Sequence, residues 1–118
     1  MEAKELRIGN IVNYFNDGEY SIISTLDWGY ANLNNASHVD YELLKPIPLT
    51  EEWILKFGFK SLDYGEYGRG RYVLDCEYTD KGVYNFVIGR TCIEVDVTNV
   101  HQLQNLYFAL TNEELTIK

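Results

Sequence analysis

Cysteine and histidine are scarce in this chain, and Cys76, Cys92, His38 and His101 are the whole supply. Two distant cysteines and two scattered histidines lack the ligand spacing of a structural zinc site. A serine or cysteine nucleophile needs a histidine and an orienting acid beside it, and no segment brings these together. No catalytic residue, no metal and no cofactor is therefore expected. Long apolar runs are missing too: none approaches the roughly 18 residues of a membrane-spanning helix. The opening MEAKELRIGN has neither the basic stretch nor the apolar core of a secretory signal. A soluble protein of the cytoplasm is expected, in a compartment where thiols stay reduced. Finally, no part of the chain is basic. Net charge is −8, with seven acids against three bases in residues 1–49 and eleven against seven in residues 50–118. That balance disfavours a general affinity for nucleic-acid phosphates, while keeping a small protein in solution.

Against those absences stand a 46% apolar composition over 118 residues and ten tyrosines. The first is enough for one domain, or for two small lobes. The best-defined stretch is Pro46–Phe59, PIPLTEEWILKFGF. Pro46 and Pro48 deny helical geometry to the residues before them. Thr50 predicts an N-cap, and Glu51 and Glu52 suit the positive end of the helix dipole. Leu49 and Ile54 have the spacing of a hydrophobic staple. Trp53, Ile54 and Phe57 share one face, so Trp53 is expected in the core. Gly58 predicts a left-handed stop, with Phe59 folding back onto Ile54.

Before this helix, short β segments are predicted at Ile11–Phe15, Glu19–Leu26, Tyr30–Leu33 and Ala36–Val39. Turns fall at Asn16-Asp17-Gly18, Asp27-Trp28-Gly29 and Asn34-Asn35, and a single helical turn at Asp40–Leu44. After it, Lys60–Asp63 reads as a strand and Tyr64–Arg71, with three glycines, as an irregular loop. A three-stranded meander follows over Tyr72–Tyr78, Val83–Ile88 and Thr91–Val97. The last helix begins at the N-cap Asn99 and ends at Asn112. Its stripe of Val100, Leu103, Leu106, Tyr107 and Leu110 predicts packing on the sheet.

Strand alternation sorts the meander into two faces. Tyr72, Leu74, Cys76 and Tyr78, then Tyr84, Phe86 and Ile88, then Ile93, Val95 and Val97 are expected on the face toward the helix, with Cys76 buried. The other face carries Asp75, Glu77, Glu94 and Asp96, an acidic surface. The two cysteines fall on opposite faces, which argues against a disulfide. The outer strands lie roughly 9–10 Å apart across the middle one, so a divalent-cation site, the less favoured reading of the four carboxylates, would need their side chains to converge. Gly65-x-x-Gly68-x-Gly70 is not a phosphate loop, because it lacks the Lys-Ser/Thr pair and a strand follows it. Tyr64, Tyr67, Arg69 and Arg71 on that loop have the composition of a contact surface. Trp28 and Tyr30 form a second aromatic candidate, suited to stacking.

Three stretches carry a resemblance: ELRIGNIV at Glu5–Val12, PIPLTEEWILKFGF at Pro46–Phe59 and VHQLQNLYFALTNEEL at Val100–Leu115. Together they resemble a family of short uncharacterised proteins encoded by phages, prophages and mobile elements of gut bacteria. In that family a glycine usually follows the Ala-Leu-Thr of the last helix; here Asn112 stands in its place. The resemblance implies a mobile-element context and supplies no catalytic residues. LRIGNIV followed by short strands also resembles the opening of SH3-like and Tudor-like barrels. The expected fold is α+β: a small SH3-like or Tudor-like β unit over residues 1–48, then an α-β-β-β-α unit over residues 49–118. In the latter, a three- or four-stranded antiparallel sheet is covered by the C-terminal helix, and the two units pack as one domain. The leading expectation for function is a non-enzymatic protein acting by protein–protein contact, as an inhibitor or adaptor of host machinery. Two other readings stay open. One is nucleic-acid association by the SH3-like module; the other is a small hydrolase or ligand-sequestering protein with a pocket between the β arms.

Overall fold

The structure, a computed structural model, describes residues 5–14, 20–62, 65–76, 81–88 and 94–117. The turn at Asn16-Asp17-Gly18, Tyr64, Glu77, Tyr78 and the segment 89–93 with Cys92 lie outside the described residues. The fold is α+β, with two five-stranded antiparallel open sheets, a short helix between them in the chain and a C-terminal helix. The chain divides into two compact units. The first comprises Met1–Ile47 and Asn99–Glu114, the second Pro48–Thr98 and Leu115–Lys118.

In the first unit, β1 (Ile11–Tyr14), β2 (Tyr20–Leu26), β3 (Tyr30–Leu33) and β4 (Val39–Asp40) form a meander. A 3-10 helix (Tyr41–Leu43) then leads to β5 (Leu44–Lys45), which returns to pair with β1, giving the order β4-β3-β2-β1-β5. The helical turn matches expectation; the two-residue β5 does not, because it is too short to show a period of its own. Along β2, Ser21 and Ile23 are buried while Tyr20 and Ser24 are exposed. The core holds Leu6, Val12, Ile23, Ala31, Leu33, Val39 and Leu44.

The C-terminal helix, α2 (Val100–Thr111), was expected to cover the second sheet; it groups with the first unit instead. Polar side chains on its inner face fasten it to the start of β1. Gln104 Oε1 accepts from the Ile11 N–H at 2.8 Å, and Gln104 Nε2 donates to the Gly9 carbonyl at 3.1 Å. Asn10 Nδ2 donates to Asn105 Oδ1 at 2.8 Å, and Asn105 Nδ2 donates to the Glu5 carbonyl at 2.9 Å. The buried stripe is rotated from the apolar one: His101 and Gln104 are buried with Val100, Leu103 and Tyr107, while Leu110 is exposed. The caps follow expectation. Gln102 Oε1 accepts from the Asn99 N–H at 3.1 Å, and Asn112 ends the helix at φ 60°.

In the second unit, α1 (Glu51–Lys56) begins after Thr50, whose hydroxyl makes no capping bond. The stop is a Schellman motif. Gly58 at φ 91° donates to Leu55 O at 3.0 Å, and Phe59 donates to Ile54 O at 3.3 Å. Ile54, Phe57 and Phe59 are buried, whereas Trp53 is only half-buried, beside Phe57 and under Lys56 Nζ at 5.1 Å. The sheet has the order β10-β9-β8-β7-β6. Its strands are β6 (Lys60–Ser61), β7 (Glu66–Arg69), β8 (Tyr72–Asp75), β9 (Tyr84–Ile88) and β10 (Glu94–Val97). Five strands stand where three or four were expected, because part of the predicted loop Tyr64–Arg71 is itself a strand. Glu66–Arg69 pairs with both β6 and β8. Its glycines are local devices. Gly70, at φ 61°, opens the two-residue turn to β8. Gly68 leaves room for Leu62, whose Cδ1 would lie 2.9 Å from a Cβ there.

Candidate functional site

The β2–β3 hairpin brings together the most exposed aromatic ring of the described residues and a fixed carboxylate. A bulge at Ser24 interrupts the pairing between Ile23↔Leu33 and Thr25↔Asn32, which bends and twists the strands toward the tip. The tip closes with a hydrogen bond from the Asp27 N–H to the Tyr30 carbonyl at 2.9 Å. Trp28, between them, is 94% exposed. Asp27 Oδ1 accepts from the Trp28 backbone N–H at 2.8 Å, and Asp27 Oδ2 accepts from the Tyr30 hydroxyl at 2.9 Å. The Tyr41 hydroxyl donates to the Asp27 carbonyl. Three donors, one backbone N–H and two tyrosine hydroxyls, thus fix one residue. The Trp28 N–H first, and then the Tyr30 hydroxyl, hold the Asp27 carboxyl below its ordinary value, and the Asp27 carboxylate in turn pushes the Tyr30 hydroxyl up.

His38 completes the cluster. It stacks on Tyr30 with ring centroids 3.9 Å apart. Its backbone has the left-handed φ of 53°, uncommon outside glycine. The Asn32 side chain holds it there, accepting from the His38 N–H at 2.7 Å while donating to Thr25 Oγ1 at 2.8 Å. Leu26, Asp27, Trp28, Gly29 and Tyr41 line a depression of about 320 Å³. Trp28 and Tyr30 were legible as aromatics at a turn. Asp27, Tyr41 and His38 were not, since Tyr41 reaches the tip only through the β3–β4 pairing that sets Asp40 opposite Tyr30.

The other candidates fare differently. Tyr67 lies on β7, 8% exposed, edge-on to Tyr84 at 6.4 Å. Burial, and after it the Glu51 carboxylate, push its hydroxyl up to about 12. Arg69 is half-buried and donates through Nη1 to the Phe57 carbonyl at 2.8 Å, closing the end of α1. Arg71 is exposed at the β7–β8 turn. The loop set therefore includes an aromatic and a cation already committed to the second unit's own packing. On the acidic face, Asp75, Asn85 and Asp96 form one cross-strand row, so the strand between the two carboxylates is β9. Glu94 lies one row away, opposite Val87. Among the described residues no three His, Cys, Asp or Glu side chains gather as metal ligands would.

Cys76 is half-buried rather than buried, and its Sγ–H donates to the Gly65 carbonyl at 3.4 Å. His101 is 2% exposed, and among the described residues neither of its ring nitrogens has a hydrogen-bond partner. Burial pulls its pKa down, opposed by the Glu5 carboxylate. It borders a second depression of about 410 Å³ with Glu5, Gln102, Asn105 and Leu106. No helix of the described residues is long and apolar enough to cross a membrane. Comparison with family models, with curated proteins and with solved structures finds no match for this chain.

Proposed function

We propose that this chain is a non-enzymatic binding protein that acts through protein–protein contact, with the β2–β3 hairpin tip as its contact surface. The observation that carries this reading is Trp28. A large aromatic ring, 94% exposed, is held out on a hairpin tip that several hydrogen bonds keep in one shape. Rigid, exposed aromatic anchors beside polar groups are what interfaces use as hot spots. A ring in this position has no core to fill, so folding does not account for it.

In this reading the first unit is an SH3-like module. Its short meander, and the return of β5 to β1 after a 3-10 helix, support that assignment. The resemblance of its terminal and central motifs supports a role as a cytoplasmic accessory protein of a phage or mobile element, an inhibitor or adaptor of host machinery. Nucleic acid is the weaker partner: base stacking would suit Trp28 and Tyr30, but a net charge of −8 repels phosphates. Affinity capture from bacterial lysate, with and without nuclease treatment, tests the proposal, with the wild-type chain and Trp28→Ala as baits. The expected result is a specific protein retained by wild type and lost by the variant. Equal capture by both baits, or capture abolished by nuclease, overturns it.

A further inference from the structure

We infer that the hairpin tip recognises an arginine side chain of a basic peptide segment, with the Asp27 carboxylate and the Trp28 ring as the two recognition groups. This rests on the protein-binding reading above and names the chemistry of the partner. The first observation is geometric. A carboxylate has about four acceptor positions, and Asp27 uses one on the Trp28 N–H and one on the Tyr30 hydroxyl. These two bonds orient the group and leave acceptor capacity at a fully exposed site next to the indole. A planar guanidinium fits such a pair, because it offers parallel donors to a carboxylate while lying flat on an aromatic face. The depression of about 320 Å³ lined by Leu26, Asp27, Trp28 and Tyr41 is large enough for one such side chain and its apolar stem.

The second observation is electrostatic and independent of the tip's geometry. Between Arg7 and Lys45 the chain holds five acidic residues and no lysine or arginine. Asp40, which precedes the 3-10 helix that carries Tyr41, and Glu42, within it, are both exposed. Asp27 is exposed as well, and Asp40 pairs with Tyr30, so among the described residues the surroundings of the tip are anionic inside an already acidic chain, which attracts a cationic partner and repels nucleic acid. The third concerns the chain's own habits. Arg7 lies 4.3 Å from the Phe108 ring centroid and Lys56 lies 5.1 Å from that of Trp53. Trp28, the most exposed aromatic, carries no such cation among the described residues, so its face is open to one from outside.

The test is a titration of the full chain, followed by backbone and indole NMR signals, with three peptides: tri-arginine, tri-lysine and tri-citrulline. Citrulline keeps the shape of arginine and removes its charge. Tri-arginine is expected to shift the Trp28 indole and the Asp27 and Gly29 amides saturably, with tri-citrulline leaving them in place. Asp27→Asn is expected to weaken the arginine peptide about three- to tenfold, as loss of an exposed ion pair with a stacked cation would. Raising salt from about 50 to about 500 mM is expected to weaken it likewise. Equal response to arginine and citrulline overturns the inference, as does a stronger response to lysine than to arginine. So does a single-stranded oligonucleotide that shifts the same signals. The ligand comparison needs no variant, so it holds even where Asp27→Asn disturbs the turn. The two proposals fail separately. Capture that depends on Trp28 without arginine preference overturns only this inference, and capture indifferent to Trp28 overturns the reading beneath it.

Discussion

At the scale of single residues, burial rather than residue type decides the consequences. Trp53 was expected in the core on helical spacing, yet it is half-buried, while Phe57 on the same face is completely enclosed. A one-turn shift along a six-residue helix is enough to move a side chain from interior to rim. Phe57→Ala is therefore expected to cost about 3–5 kcal/mol, and Trp53→Ala clearly less, by urea denaturation. Equal costs would return Trp53 to the core. His101 makes the opposite case, a polar residue inside. Burial lowers its folded pKa below the ordinary 6.5, so the fold holds it neutral while the unfolded chain takes up a proton. Its contribution to stability is complete above pH 6.5 and is lost as pH falls through the lowered folded value. The urea midpoint is expected to fall from pH 7.5 toward pH 5.5, and His101→Phe to flatten that slope. An unchanged slope in the variant would assign the pH dependence to other groups. The two pH values lie about one unit either side of the ordinary histidine pKa.

At the scale of elements, local signals set the ends and shared polar bonds set the partners. The Schellman stop at Gly58 and the left-handed Asn112 were readable because each depends on residues a few positions apart. The partner of α2 was not. Its apolar stripe shows that a face is covered and says nothing of what covers it, and the two residues that settle the matter, Gln104 and Asn105, are polar. Gln104 is 1% exposed and bonds to both Gly9 and Ile11. Gln104→Leu leaves the Ile11 N–H and the Gly9 carbonyl without that partner, at an expected cost of about 1–3 kcal/mol. Thermal unfolding checks it, and a variant as stable as the parent would show that solvent replaces both bonds. Strand β7 was misread for a related reason. Three glycines in six residues look mobile, but Gly68 lies within the strand and admits Leu62, and Gly70 turns the chain just after it.

At the scale of the whole molecule, the chain leaves the first unit after Ile47 and re-enters it at Asn99. Within the first unit Val100 donates to Ile47 at 2.9 Å, and within the second Leu49 donates to Thr98 at 2.9 Å. The first unit is therefore discontinuous in sequence, and α2 is the part added last. Besides Gln104 and Asn105, its return brings Glu114 to Arg7, with Oε1 2.8 Å from Nη2. A chain ending at Thr98 is expected to lose the dispersed amide signals of β1 and β2. Retention of those signals would show that the meander folds without the helix.

The sequence by itself determined where helices begin and end, which strands alternate, and that the chain carries a net charge of −8. Those properties depend on neighbours a few positions apart or on a simple sum. Tertiary structure alone decided that α2 belongs with β1, that Tyr67 and Arg69 serve the second unit's packing, and that Tyr41 and Asp27 meet at the hairpin tip. The physical reason is the same in each case. Periodicity records that a side chain is covered or exposed, whereas hydrogen bonds between distant segments choose its partner.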